Sequence, residues 1–390
     1  MKNIIVTRPK AIIIGSKDVI KLCVIRAVGS FGCDVDVVHL GKKGKFTNPV
    51  DYYSKYVNKF YYASQENLIQ LLLDKCLCPH IKPVIFTLDD YSTFLVDEAR
   101  DKLTNNFLFA HLNSDGFLAE LMNKHVFKAK ALEVGMNVVM GWPIPFENGE
   151  FQIPEGIKYP CFVKGLQSFH ASKKFQSRCN SHEELLLFLK NCKGKYPHPL
   201  YAEEFISIEK DYGVIGVSDG HKSVIPAKAE LLEMGKGSTN GVSMLGTVSP
   251  LENTELCSQI KALLEKLHYV GIFNLDFVES NGKMYFVELN FRFAAYGYGV
   301  FRAGCNLPAI LINTLHGNGL ESLQTTIKGT YYYLNEKVGF TNVIAKSISL
   351  AKYRTLKKKA DFTLVKDKED LKPYCLFVFK YFRRFIKSRI

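Results

Sequence analysis

Two carboxylates stand twelve positions apart late in this 390-residue chain, each in an apolar run: Asp276 in Asn274-Leu275-Asp276-Phe277, and Glu288 in Phe286-Val287-Glu288-Leu289-Asn290. Between them, Ser280-Asn281-Gly282-Lys283 is a tight-turn signal, so the two runs read as the strands of a hairpin. Side chains alternate along a strand, which puts Glu288, Asn290 and Arg292 on one face. Strand pairing then brings Asp276 beside them. Two acids and an amide offer the oxygen ligands that Mg2+ takes together with phosphate oxygens and water. The Arg292 guanidinium suits a phosphoryl group in transfer. A solvated hairpin with alternating polar residues is the plainer reading. Phe286, Val287 and Leu289 speak against it, because they mark a buried strand in which acids need partners.

Other elements must position this hairpin. Residues 11–14 form a β-branched run ended by Gly15, which reads as a buried parallel strand. Helical spacing over 19–28 and a second strand at 35–38 complete a strand–helix–strand unit with a right-handed crossover. A later strand at 84–87 ends in Leu88-Asp89-Asp90. The first hundred or so residues thus form a small open α/β domain, with ligands expected beyond the carboxyl ends of its strands. A helix follows at 123–135, and Pro143 and Pro145 break the pattern after it. Strands are expected at 159–164, 201–206 and 222–229, and helices after Ser181-His182-Glu183-Glu184 and at 256–267. The Gly/Ser/Thr-rich stretch 234–247 reads as a mobile loop, suited to act as a lid.

The run Phe286-Val287-Glu288-Leu289-Asn290-Phe291-Arg292-Phe293 resembles the "EiNpR" signature of the ATP-grasp superfamily, with Phe291 in place of the usual proline. Asp276 matches the first metal carboxylate of that family. Ala303-Gly304-Cys305-Asn306-Leu307-Pro308 resembles its "aGvnlP" element. Further upstream, Asn123-Lys124 resembles "dK", Pro160-Cys161-Phe162-Val163-Lys164 resembles "fPvivKp", and Glu203-Glu204-Phe205-Ile206 resembles the hinge "qEyi". The matches fall in the family's order over roughly residues 100–320. Val24 to Gly29 and Tyr53 to Val57 are similar to the N-terminal domain of D-aspartate ligase-like and carbamoyl-phosphate-synthase-like members.

The resemblance implies an α/β (α+β) chain: an N-terminal pre-ATP-grasp domain over 1–112, then a two-lobed ATP-grasp domain over 113–325. Its small lobe would span about 125–205 and its large lobe about 206–325, with a C-terminal extension over 326–390. It implies ATP and Mg2+ as cofactors, with Mn2+ an acceptable substitute. Lys124 and Lys164 would contact phosphates, and Asp276, Glu288 and Asn290 the metal. Main-chain groups and a glutamate of the hinge Glu203, Glu204, Phe205 and Ile206 would read adenine. An acid would hold the ribose, with Glu209 and Asp211 both candidates. Arg292 would stabilise an acyl phosphate, Arg302 would pair with a substrate carboxylate, and Lys228 would face the same cavity. The implied activity is carboxylate–amine ligation, on an amino-acid or on a cell-envelope or polysaccharide precursor. The loop 165–172 departs from the family, having one early glycine where a glycine-rich flap is usual. Ser168, Ser172, Lys173 and His170 are the donors that would substitute.

Composition is that of a soluble globular chain, with 47% hydrophobic and 23% charged residues, so disorder is not the default. A net charge of +13 favours anionic partners without choosing among them. No nucleic-acid partner is expected. The ten cysteines form no CxxC pair and read as reduced thiols of a cytoplasmic protein. The run 375–387 mixes aromatic and basic residues, which suits a helix lying in a membrane interface, at the inner face, as well as one packed on the protein body. A homodimer is left open. Three rival functions remain: a nucleotide-binding protein with a degenerate site, motivated by the loop 165–172; a basic scaffold for membrane or nucleic acid; and a kinase that stops at the acyl phosphate.

Overall fold

The computed structural model describes residues 8–43, 48–113, 116–170, 173–234 and 243–387. The first element is a five-stranded parallel sheet in the order Val57–Ala63, Asp34–Leu40, Lys10–Gly15, Val84–Thr87, Leu108–Phe109. Its central strand is covered on both faces, so Ala11 to Ile14 are fully buried and the run is apolar without alternation. The carboxyl ends of two neighbouring strands meet at Ser16 and Asp89: the Ser16 N–H and hydroxyl donate to Asp89 Oδ2 at 2.8 and 3.0 Å. Asp89 also caps the helix Asp90–Glu98 by accepting from the Ser92 N–H at 2.8 Å.

Next comes a four-stranded antiparallel sheet in the order Ser177–Cys179, Cys161–Gly165, Leu200–Glu204, Gly141–Ile144. The helix His182–Cys192 buries Leu185, Leu189 and Cys192 against it. Pro143, expected to break regular structure, lies within the strand Gly141–Ile144. That strand is at the sheet's edge, where a missing N–H leaves no ladder bond unmade.

The third unit is an eight-stranded sheet among the described residues. Its main path runs Lys283–Asn290, Tyr269–Ser280, Lys210–Asp219, Ser223–Met234, Ser243–Ser249, Tyr331–Leu334, Phe362–Thr363, and His111–Leu112 pairs with Tyr269 and Val270. One face carries Phe273, Leu275, Phe277 and Phe286, packed against helices Lys124–Glu133 and Thr254–Lys266 through Phe127, Ala131, Ile260 and Leu264.

Two expectations change here. The stretch 234–247 is not a loop throughout: Ser243–Ser249 is a strand with Met244 and Leu245 buried, paired on both sides. Its small polar residues are compatible with a strand because both neighbours supply the ladder. The remainder of the lid expectation, 235–242, lies outside the described residues. The segment from 326 on is not an appendage either, because Tyr331–Leu334 and Phe362–Thr363 extend the large sheet.

A buried polar joint fixes the end of the chain to the first domain. Arg26 Nε donates to Asp370 Oδ2 at 2.9 Å, and its other nitrogens donate to the carbonyls of Leu364, Val365 and Asp370. Asp370 also accepts from the Ser54 hydroxyl and the Lys55 N–H. Removing one partner of a buried pair leaves the other charge desolvated and alone. Asp370→Ala is expected to lower stability by about 2–3 kcal/mol. Urea unfolding followed by tryptophan-independent far-ultraviolet dichroism reads this out.

Candidate active site

The hairpin places Asp276 directly opposite Glu288 and Asn274 opposite Asn290. A bulge between Asp276 and Phe277 makes this possible. Phe277 pairs with Phe286 and Asp276 with Glu288, so Val287 has no opposite number. The extra residue changes the register by one, and a one-residue change decides which face a side chain takes. Without it the acid would meet Val287.

Asp276 is gripped by amides. Asn274 Nδ2 donates to its Oδ1 and Asn290 Nδ2 to its Oδ2, each at 3.0 Å. The buried Tyr296 hydroxyl in turn bonds Asn274 Oδ1. Arg292 donates from Nη2 to Asn290 Oδ1 at 3.1 Å and from Nε to Asp90 Oδ1 at 2.6 Å. Asp90 comes from the first domain, at the carboxyl end of its strand Val84–Thr87, so this ion pair joins that domain to the hairpin.

Lys124 approaches from the start of its helix. Its Nζ lies 3.4 Å from Glu288 Oε1 and 3.2 Å from the Ser168 hydroxyl, which donates to the same Glu288 oxygen at 2.8 Å. Ser168 is held by the main chain: its N–H donates to Met122 O at 3.0 Å. Phe169 stacks on Phe94 of the first domain with ring centroids 4.3 Å apart. This loop, with its single early glycine, is therefore seated by side-chain packing as far as residue 170. The Ser172 expectation lies outside the described residues.

A second ionic cluster sits beside the first. Glu203 accepts from Lys128 at Oε2 and from Lys164 at Oε1, both at 2.6 Å, and Lys128 also donates to Val139 O at 3.0 Å. All three are largely buried. Between the clusters opens a cleft of about 450 Å³. Its lining combines charged side chains, among them Lys124, Lys128, Lys164, Glu204 and Glu288, with apolar ones, Val139, Phe162, Phe205, Ile206 and Ile208. Glu204 N–H is bonded to Met140 O and Phe205 N–H to Pro160 O, which fixes the hinge between the two sheets.

Charge is unevenly matched across the site. Burial and the adjacent negative charge of Glu288 push the Asp276 carboxyl up to about 7. Burial pushes Glu288 upward as well, but Lys124, Lys164 and the Ser168 hydroxyl overcome it and hold Glu288 below its ordinary value. Burial lowers Lys124, and Glu288 offsets only part of this. For Glu203, two lysines outweigh burial and bring it down to about 2; for Lys128, burial prevails and takes it to about 8. Two facing carboxylates, of which one lacks a cation of its own, form a donor set that fits a divalent ion. No group of three His, Cys, Asp or Glu suited to a metal occurs among the described residues, and the set here is two acids and an amide. Mg2+ tolerates that, because it keeps several ligands from water and phosphate.

The Asp276 carboxyl ionises above the ordinary range, so the folded protein holds a proton that the unfolded chain has lost. This group's contribution to stability falls as pH rises from about 4 to 7 and stays lost above that. A cation placed beside it reverses the effect. Carbon-13 spectra of the side-chain carboxyls, assigned with Asp276→Asn, are expected to show a midpoint near 7 without metal and below 5 with Mg-ADP. A metal-free midpoint near 4 contradicts this electrostatic picture.

Of the residues singled out from the sequence, the structure gathers Lys124, Lys164, Ser168, Glu203, Glu204, Phe205, Ile206 and Glu288 on one cleft. Asp276, Asn290 and Arg292 adjoin it through the bonds described above. Asp211 is buried opposite Val278 and adds its charge to those acting on Asp276. Arg302 is elsewhere, bonded to Asp367 at 2.9 Å and set over the Phe362 ring. Lys228 lies opposite Val214 with its ammonium over Tyr212, on the sheet face away from Asp276. Three charged cleft residues were not singled out: Lys17, Asp90 and Lys128. Lys128 had a signal in its spacing, because it is one helical turn beyond Lys124 and so shares its face.

No family model matches the chain. Among solved structures, N5-carboxyaminoimidazole synthetase from Staphylococcus aureus complexed with ADP is 16% identical, with 88% of this chain and 86% of that one covered and a TM-score of 0.61. An L-amino acid ligase from Bacillus licheniformis is 13% identical over 83% of this chain and 79% of its own, at 0.58. Pyruvate carboxylase from Rhizobium etli is 14% identical over 83% of this chain and 31% of its own, at 0.63.

Proposed function

We propose that this chain, whose fold is that of the ATP-grasp enzymes, is an ADP-forming ligase that activates a carboxylate and couples it to an amine. The reading rests on one observation above the rest: Asp276 and Glu288 face each other across a hairpin, with Lys124 3.4 Å from Glu288, beside a cleft lined by both lysines and apolar side chains. That mixed lining suits a nucleotide, with the base against the apolar side chains and the triphosphate among the lysines. Asp276, Glu288 and Asn290 would hold Mg2+, whose charge would offset that of the phosphates.

The chain's own residues do the rest by position. Lys124, Lys128 and Lys164 offset the phosphate charge in a site shielded from water. The substrate carboxylate oxygen attacks the γ-phosphorus, the bond to the β-phosphate oxygen breaks, and ADP leaves with that electron pair. Arg292, kept ionised and oriented by Asp90 and Asn290, holds the acyl phosphate. An amine then attacks the carbonyl carbon and inorganic phosphate departs. Asp90 gives the first domain a direct part in orienting Arg292. The three neighbours carry different substrates in their names, so those names do not select an acid or an amine for this chain.

One observation favours a second reading, a protein that binds nucleotide without turnover. Ser168 and Lys124 both engage Glu288, a proposed metal ligand, and the phosphate loop has few glycines. The two readings part in an ADP-release screen of amino acids and sugar acids, each with and without an amine. The ligase gives release that depends on the acid, with hydroxylamine trapping a hydroxamate. Calorimetric ATP binding with no ADP released for any acid points to the second reading.

A further inference from the structure

The last helix, Lys372–Lys387, has two apolar faces. Phe377 and Tyr381 are buried and belong to the main core, with Tyr374 and Val378 packed beside them. Roughly 130° around the helix lies a second stripe, Cys375, Phe379, Phe382 and Ile386, at the spacing of one helix face. Cys375 is exposed, Phe379 and Phe382 are each 58% exposed, and Ile386 is 43% exposed. Leu371, just before the helix, continues the stripe and is 46% exposed. Large side chains left in water at this spacing are a contiguous patch, unlike the scattered surface apolar residues of any protein.

The charge around the stripe is of one sign. Lys372, Lys380, Arg383, Arg384 and Lys387 all fall in the helix, and no acid follows Asp370 anywhere in the chain. Arg383 lies over the Phe379 ring at 5.8 Å, so a cation borders the apolar stripe directly. Among the described residues no helix is long and apolar enough to cross a membrane.

We propose that this helix docks the protein on an anionic lipid bilayer, lying in the plane of the interface. Phe379, Phe382 and Ile386 enter the acyl boundary, and Arg383 at the edge of the stripe meets the headgroups. A second copy of the chain is the poorer occupant, since pairing the stripe with itself sets one strongly basic helix against another. The bilayer satisfies both features at once, apolar depth and negative surface. The helix also runs past Asp18, which pairs with Lys337 at 2.8 Å and feels the charge of Lys380. Lys17, the next residue, lines the cleft.

Co-sedimentation of the full chain with phosphatidylcholine vesicles, with and without about 30% phosphatidylserine, tests this. The wild type is expected to pellet with the anionic vesicles alone. The double variant Phe379→Ser/Phe382→Ser, which keeps the net charge, and the variant Arg383→Glu should each partition about tenfold less. The substituted side chains are exposed and none of them lines the cleft, so ADP production in solution stays as in the wild type, whether or not the ligase reading holds. Three outcomes overturn the proposal: wild type left in the supernatant with anionic vesicles, a Phe379→Ser/Phe382→Ser variant that pellets like the wild type, or a wild-type dimer that this variant turns into a monomer.

Discussion

Glu288→Gln is expected to lower Mg-ATP turnover by about 10²–10³-fold while the protein stays folded. The amide is nearly isosteric, and its oxygen still accepts the hydrogen bond that the Ser168 hydroxyl makes at 2.8 Å. What disappears is one of two negative ligands for the metal, together with the partner that Lys124 has at 3.4 Å. Lys124 is buried and its ammonium is already disfavoured by burial. In the variant it loses the charge that keeps it protonated and becomes a poorer partner for phosphate. Asp276 meanwhile loses the neighbour that helps raise its pKa, so it ionises more readily, and one strong ligand remains. Binding of the base should change little, because the apolar lining of Phe162, Ile206 and Ile208 is untouched by the substitution. The effect belongs mainly in kcat, measured by coupled ADP release at saturating Mg2+. A loss of under fivefold at unchanged metal affinity would take Glu288 out of the phosphoryl-transfer machinery.

Glu203→Ala is expected to cost about 3–5 kcal/mol of folding stability. Glu203 accepts from Lys128 and Lys164 at 2.6 Å each, and the three side chains are nearly sealed from solvent. Without the carboxylate two ammonium groups share a buried site with no counter-charge. Lys128, already down at about 8, should then lose its proton near neutral pH. The sign of the pH effect follows from Glu203, which ionises well below the ordinary range. Its contribution is complete above about pH 4.5 and is lost as pH falls toward 2. Wild type and variant should therefore converge in stability toward acid and separate at neutral pH. Nucleotide adds a second readout. ATP phosphates supply the missing negative charge, so ATP should raise the melting temperature of Glu203→Ala more than that of the wild type. Equal stabilisation of both by ATP would mean that the lysines do not face the phosphates.

The hairpin could be read from the sequence because its signals are local. A tight turn at 280–283 and alternation on both sides fix which residues share a face. The order of apolar and glycine-ended runs likewise exposed the parallel sheet of the first domain. Three features were not local and escaped notice. The bulge at Val287 is a property of pairing, and nothing in Phe286-Val287-Glu288 alone announces it. Tyr331–Leu334 is a four-residue strand whose partner lies more than eighty positions earlier, and its membership in the large sheet depends on that contact. Asp90 reaches Arg292 across some two hundred residues, so its role needed the domains set side by side. Pro143 misled for a different reason: proline forbids a central strand but not an edge, and sequence alone does not say which strands are edges.

The most direct test of the metal clasp is manganese binding, read by electron paramagnetic resonance, in the presence of a non-hydrolysable ATP analogue. Mn2+ takes the same oxygen ligands as Mg2+ and reports its own coordination. The wild type should form a ternary protein–nucleotide–Mn2+ complex, and Glu288→Gln should bind the ion about 10–100-fold more weakly with the nucleotide still in place. Identical Mn2+ affinity and spectra for the two proteins would mean that Asp276, Glu288 and Asn290 do not hold the ion, and the ligase reading would fall with them.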